Sequence, residues 1–427
     1  MKKYFILLLL VVNYTVVYAQ RSKTEILQNP LLAANGYYAY PGPLQAKLTP
    51  APKGYVPFYI SHYGRHGSRY LIEPTDYSSP LHTLQHADSL GKLTPTGKEV
   101  LRKVTMICTE AKGRLGELTL RGAEQHQQIA RRMYERFPEV FRGKTQVDAK
   151  SSTVVRCILS MENALHQLIR INPQLQITHD ASEHDMPYLV YGDTALYKNK
   201  MPGKVKDIYD AFARKHDNHV GVMNRIFNDE LYWRDSVNAT DFNYQLYNLA
   251  CNVQSTELRH QISLLPLFTH DELYDAWLKT NAWWYINYGP SPLNGAVQPY
   301  SQRLLLRRII TEADSCVALS HPGATLRYGH DTMVMPLVCL LGIDGYDKEV
   351  ENLERLDDEN WLDYRIFPMA CNLQIVFYRS QKRPHDILVK VLLNENEATL
   401  PLPSAIAPYY HWEDFKAFYL AKIDNFQ

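Results

Sequence analysis

A histidine set between two arginines, with glycines close on either side, suits anion chemistry better than stability. The arrangement occurs in Tyr63-Gly64-Arg65-His66-Gly67-Ser68-Arg69. Two guanidinium groups beside an imidazole repel its proton and lower its pKa. Arginine forks grip phosphate oxygens bidentately. Glycines let backbone N–H groups come close to an anion. The run therefore reads as a phosphate cradle with a neutral, nucleophilic imidazole, His66, at its floor.

The elements around this run place it. Residues 55–60 read as a short apolar strand that leads straight into the cradle. Residues 119–137 read as a helix, with Ile129, Met133 and Phe137 on one face. Ser151-Ser152-Thr153 offers N-cap hydroxyls to a second helix, which stops near Ile171 ahead of Asn172-Pro173. Segments 315–319 and 324–328 read as strands, and Gly329-His330-Asp331 follows the second. Residues 332–341 then form a buried helix ended by Gly342. Segments 371–379 and 386–393 are further strands, rich in Val and Ile. Residues 21–54 look like an irregular lead-in, and 175–300 like an inserted, mainly helical lobe. The mixture predicts an α/β core. The Arg-His-Gly run and the Gly-His-Asp triplet each fall where a strand becomes a loop, the edge at which open α/β sheets bind ligands.

Composition sets the bounds. The 427 residues are 45% hydrophobic and 21% charged, enough for a large core and two lobes. A formal net charge of +1 gives no bias toward nucleic acid or an anionic membrane. Met1-Lys2-Lys3, an apolar stretch over 5–12 and Ala19-Gln20 fit a signal peptide over 1–20, so export to the periplasm or beyond is expected. No Cys stands near that cut, which argues against a lipid anchor, and no later segment reads as a membrane span. The six cysteines are scattered, suggest no pairing and include no CxxC, which argues against a zinc–thiolate site.

Arg65-His66-Gly67-Ser68-Arg69 resembles the signature of the histidine phosphatase superfamily, in its histidine acid phosphatase branch. His330-Asp331-Thr332 resembles the second, late signature of that branch. Leu118-Thr119-Leu120-Arg121-Gly122-Ala123-Glu124-Gln125 is similar to its Leu-Thr-x-x-Gly-x-x-Gln helix start. The segment 151–160 resembles the part that supplies a third phosphate-binding arginine, here Arg156. Among members, the multiple inositol polyphosphate phosphatases, including bacterial phytases of that type, look most similar.

The resemblance implies a histidine-phosphatase-like (phosphoglycerate-mutase-like) sheet core over 21–172 and 301–427, with the lobe at 173–300. It implies that His66 attacks phosphorus and forms a phosphohistidine. Arg65, Arg69, Arg156 and His330 would hold the phosphoryl oxygens. Asp331 would protonate the leaving alcohol and then help activate water. No metal or other cofactor is expected, since three arginines supply the positive charge. Two departures stand out. Tyr70-Leu71 follow the cradle where the family usually has Pro, and His330-Asp331-Thr332 stands where many inositol-polyphosphate members carry His-Ala-Glu.

Plainer readings accompany each residue. Arg156 fits a salt-bridging helix start, and Asp331 fits a helix N-cap. His82 and His86, at i and i+4, fit solvent-facing histidines better than metal ligands. Lys198, Lys200, Lys204, Lys206, Arg214 and Lys215 fit either a solvated face or a pocket for a polyanion. The expected activity is an exported phosphomonoesterase acting on inositol polyphosphates such as phytate. The alternatives are a broad-specificity acid phosphatase and a secreted glycan-binding protein with a vestigial phosphatase core.

Overall fold

Eight strands form one sheet: β1 (Tyr55–Arg65), β2 (Gln146–Ser151), β3 (Gln176–Asp180), β4 (Gly323–Gly329), β5 (Asn372–Ser380), β6 (Ile387–Leu393), β7 (Asn396–Glu397) and β8 (Tyr410–His411). Their order is β3-β2-β4-β1-β5-β6-β7, with β8 on β6. The computed structural model describes residues 21–197 and 200–426, so the expected signal peptide and Lys198 lie outside the described residues. β1 to β4 run parallel, while β5 lies antiparallel to β1 and β6 antiparallel to β5.

Alternation along the strands divides the core between the two faces. Tyr59 and Tyr63 of β1 join Ile375, Phe377 and Trp412 in the larger cluster. Ile60 joins Leu326 and Val376 on the other face, against Met133, Leu165 and Leu168. Those last three come from helices Leu120–Arg136 and Val155–Ile171. The first is capped by Thr119, whose hydroxyl accepts the Gly122 N–H at 3.2 Å. Helix Asp331–Leu341 ends as expected at Gly342, which takes the left-handed φ of 63°.

Several expectations need correction. β1 runs on to Arg65, because pairing with β4 and β5 carries His62 and Gly64 into the sheet although neither looks like a strand residue. Residues 315–319 are not a strand: up to Val317 they complete the helix Arg303–Val317, whose buried Leu305, Leu306, Ile309, Ile310 and Ala313 recur at helical spacing. The lead-in contains a helix, Arg21–Gln28, and a 3-10 segment, Pro30–Tyr37. Ser152 is not the cap of helix Val155–Ile171; Val154 holds that position, and the Ser152 N–H bonds the Tyr328 carbonyl at 3.0 Å as an extension of the sheet.

The sheet also passes the expected border at 172, since β3 pairs with β2. Beyond it come helices Gly203–Lys215, Val220–Ile226, Glu230–Ser236, Ala239–Asn252 and His270–Tyr288. Helices Pro74–Ser89 and Pro95–Ala111 pack with them, and the Thr94 hydroxyl donates to the Arg225 carbonyl at 2.6 Å. Leu84 and Val104 of that pair, Phe242 and Trp277 of the lobe, and Phe377 of the sheet share one buried cluster. The helical layer is therefore continuous with the core. Among the described residues no helix is long and apolar enough to cross a membrane. All six cysteines are free thiols.

Candidate active site

Adjacent parallel strands bring the two histidines together. The register of β1 and β4 sets Arg65 against Gly329, so His66 and His330 leave the sheet side by side. Their ring centroids lie 5.7 Å apart at 72°. The backbone at His66 is pinned on two sides: its N–H donates to the Gly329 carbonyl at 2.9 Å and its carbonyl accepts the Ala370 N–H at 3.0 Å.

His66 is buried, and its Nδ1 sits 2.9 Å from the Gly67 carbonyl. A carbonyl only accepts, so Nδ1 carries the hydrogen and Nε2 keeps the lone pair. Burial, then Arg65, Arg69 and Arg156, hold the imidazole well below its ordinary pKa. The ring is neutral across the mildly acid range.

Two of the three guanidiniums are held by their edges. Arg65 donates through Nη1 to the carbonyls of Gly36 and Phe367 at 2.5 and 2.8 Å, and pairs through Nη2 with Asp331 at 2.5 Å. Arg69 donates to the Tyr70 carbonyl at 2.9 Å and lies over the Tyr37 ring at 5.6 Å. Arg156 stands in the first turn of its helix, and burial followed by Arg69 lowers its pKa. In each of the three, Nε is buried without a hydrogen-bond partner. Orphaned buried donors are rare and destabilising. Three in one site, all cationic, describe a seat for an oxyanion.

His330 occupies the N-cap position of helix Asp331–Leu341. Burial lowers its pKa to about 4; Asp331 opposes the shift and Arg156 adds to it. Its Nε2 is 3.2 Å from the Ser152 hydroxyl. Asp331 is the first helical residue rather than the cap, and one of its oxygens accepts the Thr332 N–H at 2.9 Å. Burial works against its carboxylate, but Arg65 and Arg69 outweigh that, and its pKa falls below the usual carboxylate value. The carboxylate keeps 16% exposure, enough to exchange protons with solvent.

A second layer fixes the cradle. The Gly67 N–H donates to the Ser160 hydroxyl at 3.1 Å, and that hydroxyl donates to the Arg156 carbonyl at 2.8 Å. Gln125 accepts the Ser68 N–H at 2.9 Å and donates to the Tyr40 carbonyl at 3.1 Å. A Cβ on Gly67 would strike the backbone of Gly122, which explains the glycine at both places. Ser160, Gly36 and Tyr37 were not singled out from sequence, and Ser152 reads there only as a helix cap. Only the helical i, i+4 relation of Ser160 to Arg156 offered a signal.

Of the basic group in the lobe, Lys204, Lys206, Arg214 and Lys215 are exposed, with Lys206 paired to Asp210 and Lys215 to Glu354. The helix that carries them turns Tyr209 toward the cavity over the site instead. His82 and His86 are exposed on helix Pro74–Ser89. Among the described residues no group of three or more His, Cys, Asp or Glu is placed to hold a metal.

Fold and site together define a phosphate-handling α/β hydrolase of the histidine type. The chain belongs to the histidine phosphatase superfamily (branch 2), whose family model matches residues 64–394. It is 22% identical over 338 residues to multiple inositol polyphosphate phosphatase 1 of Gallus gallus, covering 73% of this chain and 70% of that one. Its structure is similar to the Bifidobacterium longum multiple inositol polyphosphate phosphatase in complex with phosphate, with a TM-score of 0.72, 20% identity and coverage of 92% and 98%. The phytase from D. castellii gives a TM-score of 0.71 at 14% identity, covering 92% of this chain and 85% of that one. At these identities the structural likeness is one of fold. The chain is a phosphatase by family membership.

Proposed function

We propose that this protein is an exported inositol polyphosphate phosphatase of the phytase type, working through a phosphohistidine. The observation that carries the reading is the free Nε2 of a neutral His66 set among three guanidiniums with orphaned Nε donors. An incoming phosphoryl group satisfies those donors as the in-line attack begins. Nε2 forms the N–P bond as the ester P–O bond breaks, and Asp331 gives its proton to the departing alcohol oxygen. The binding phosphate competes with Asp331 for Arg65, and its negative charge raises the carboxyl pKa toward the protonated form. Water then attacks phosphorus, Asp331 takes its proton, and His66 is restored. Arg65, Arg69, Arg156 and His330 bind the equatorial oxygens throughout.

Support for the substrate class comes from the relatives. A Bifidobacterium longum protein with this fold was crystallised with inositol hexasulfate, and the Gallus gallus relative is named for inositol polyphosphates. Support for export comes from the sequence of 1–20 alone. Product analysis on phytate with the wild type and His66→Ala tests the reading. Phosphate release is expected to stop in the variant, and acid-free quenching of the wild type should trap phosphate on nitrogen. Undiminished release by His66→Ala removes His66 as the nucleophile, and a strong preference for a simple aryl phosphate replaces the phytase reading with a broad acid phosphatase.

A further inference from the structure

A cavity of about 440 Å³ opens over Arg65, Arg69 and Asp331. This is where the alcohol side of a substrate must sit. Its far walls are aromatic rather than basic. Tyr37 comes from the 3-10 segment, Tyr209 and Tyr244 from two lobe helices, and Trp283 and Trp284 from a third. Tyr244 and Trp283 keep 56% and 37% of their surface exposed, which leaves ring faces open to a ligand. Trp284 is braced by Phe367 at 4.7 Å and stands edge-on to Trp283 at 5.3 Å. Three small polar side chains, Asn35, Asn248 and Thr280, also line the wall.

The charge inventory is equally specific. Among the described lining residues the ionisable groups other than tyrosine are Arg65, Arg69 and Asp331, and the Arg65–Asp331 pair neutralises one of the cations. Beyond the scissile phosphate, then, the described lining residues add no further cation, and the lobe's Lys200 lies 3.5 Å over the Tyr288 ring, which packs on Trp283 and Trp284. Aromatic faces carry negative quadrupole charge and repel anions. They attract the polarised C–H face of a cyclitol or sugar ring, while its hydroxyls can bond to amide and hydroxyl groups such as those of Asn248 and Thr280.

From this chamber we infer that the preferred substrate is a ring alcohol bearing few phosphates, stacked by one C–H face on Trp283 and Tyr244. This inference rests on the inositol phosphatase reading and ranks its substrates: phytate is still hydrolysed, but less phosphorylated inositols are turned over better. Fully phosphorylated inositol is a poorer substrate, because its remaining phosphates face aromatic rings or must turn out to solvent. The enzyme then works best late in stepwise dephosphorylation, consuming what a phosphatase specific for highly phosphorylated inositols would leave.

Steady-state kinetics on inositol bisphosphate, inositol hexakisphosphate and acyclic glycerol phosphate test this, using the wild type, Trp283→Ala, Trp283→Phe and Tyr244→Ala. The wild type should show a kcat/KM at least about tenfold higher on the bisphosphate than on the hexakisphosphate. Loss of one stacking face should raise KM for the bisphosphate about fivefold to tenfold with kcat little changed. The same substitution should move the glycerol phosphate KM much less, and Trp283→Phe should restore most of the ring preference. A preference for the hexakisphosphate, or an equal KM increase on ring and acyclic substrates, overturns the inference while leaving the phosphatase reading intact. Cleavage of glycerol phosphate with no action on any inositol phosphate overturns the parent reading instead.

Discussion

Asp331 pairs with Arg65 at 2.5 Å, so the carboxyl proposed to release the alcohol is tied to the guanidinium beside the nucleophile. In the ligand-free site this pair keeps the proton off Asp331. Under the proposed mechanism, a phosphate that displaces it from Arg65 would also raise its pKa and prepare it to be an acid. In that mechanism substrate binding and acid activation are thus one electrostatic exchange, confined to residues that adjacent strands deliver.

That exchange makes Asp331→Asn selective in its effect. An alkyl alcohol such as an inositol hydroxyl needs a proton as it leaves, and positioned acids contribute about 10²–10⁴ in rate. A nitrophenolate leaves without one. The variant should lose roughly that factor on inositol phosphates and about tenfold or less on p-nitrophenyl phosphate. Equal losses on the two esters would remove Asp331 as the donor. In the wild type kcat/KM should rise as pH falls below neutrality, since the protonated fraction of Asp331 grows while His66 stays neutral.

How much of this was legible in the sequence follows from the range of each interaction. Arg65, His66 and Arg69 could be read as candidates because they fall within five consecutive residues. His330 and Asp331 could be read because they repeat the strand-to-loop context late in the chain. Ser152, by contrast, bonds His330 only because β2 lies beside β4, a pairing of residues 178 positions apart. Gly36 reaches Arg65 through a 3-10 segment whose Pro and Gly content looked irregular. Residues 315–319 misled because Cys-Val-Ala-Leu favours a strand locally, whereas burial of Ile309, Ile310 and Ala313 draws the segment through Val317 into a helix. The aromatic chamber draws on four segments far apart in sequence, and nothing in any one of them marks a Tyr or Trp as cavity lining.

The contact between Gly67 and Gly122 supplies a stability test. A side chain on either glycine meets fixed backbone, Gly122 in one case and Ser68 in the other. Overpacking of this kind costs about 1–3 kcal/mol. Gly122→Ala should lower the denaturant midpoint accordingly and reduce activity further by shifting the cradle. A variant of wild-type stability would show that the helix start can slide away from the loop at no cost.

His62 and His126 lie buried beneath the cradle, each with a pKa pushed down to about 3 by burial. A buried histidine held below its unfolded value of about 6.5 contributes stability that is complete above that pH and is lost as pH falls toward the folded value. Each group should therefore destabilise the fold by about 2–3 kcal/mol at pH 4.5 relative to pH 7. His126→Gln, which cannot titrate, should lose less stability over that interval in urea titrations. An unchanged pH dependence would place the acid sensitivity elsewhere.

Arg156 joins the phosphate site to the cost of building it. Burial and the nearby Arg69 disfavour its charge, and its Nε has no partner until an anion arrives. Inorganic phosphate, as product, should bind the folded protein and raise its melting temperature, with about 2.7 kcal/mol gained at a hundredfold excess over Kd. Arg156→Gln removes one charge-assisted contact and should weaken phosphate about 10–100-fold, which removes from about half to most of that shift. Without phosphate the same variant should be at least as stable as the wild type, because a repelled and unpaired cation has gone. Calorimetry with and without phosphate separates these effects. A variant destabilised in buffer alone, with its phosphate shift intact, would mean that Arg156 serves the helix and not the substrate.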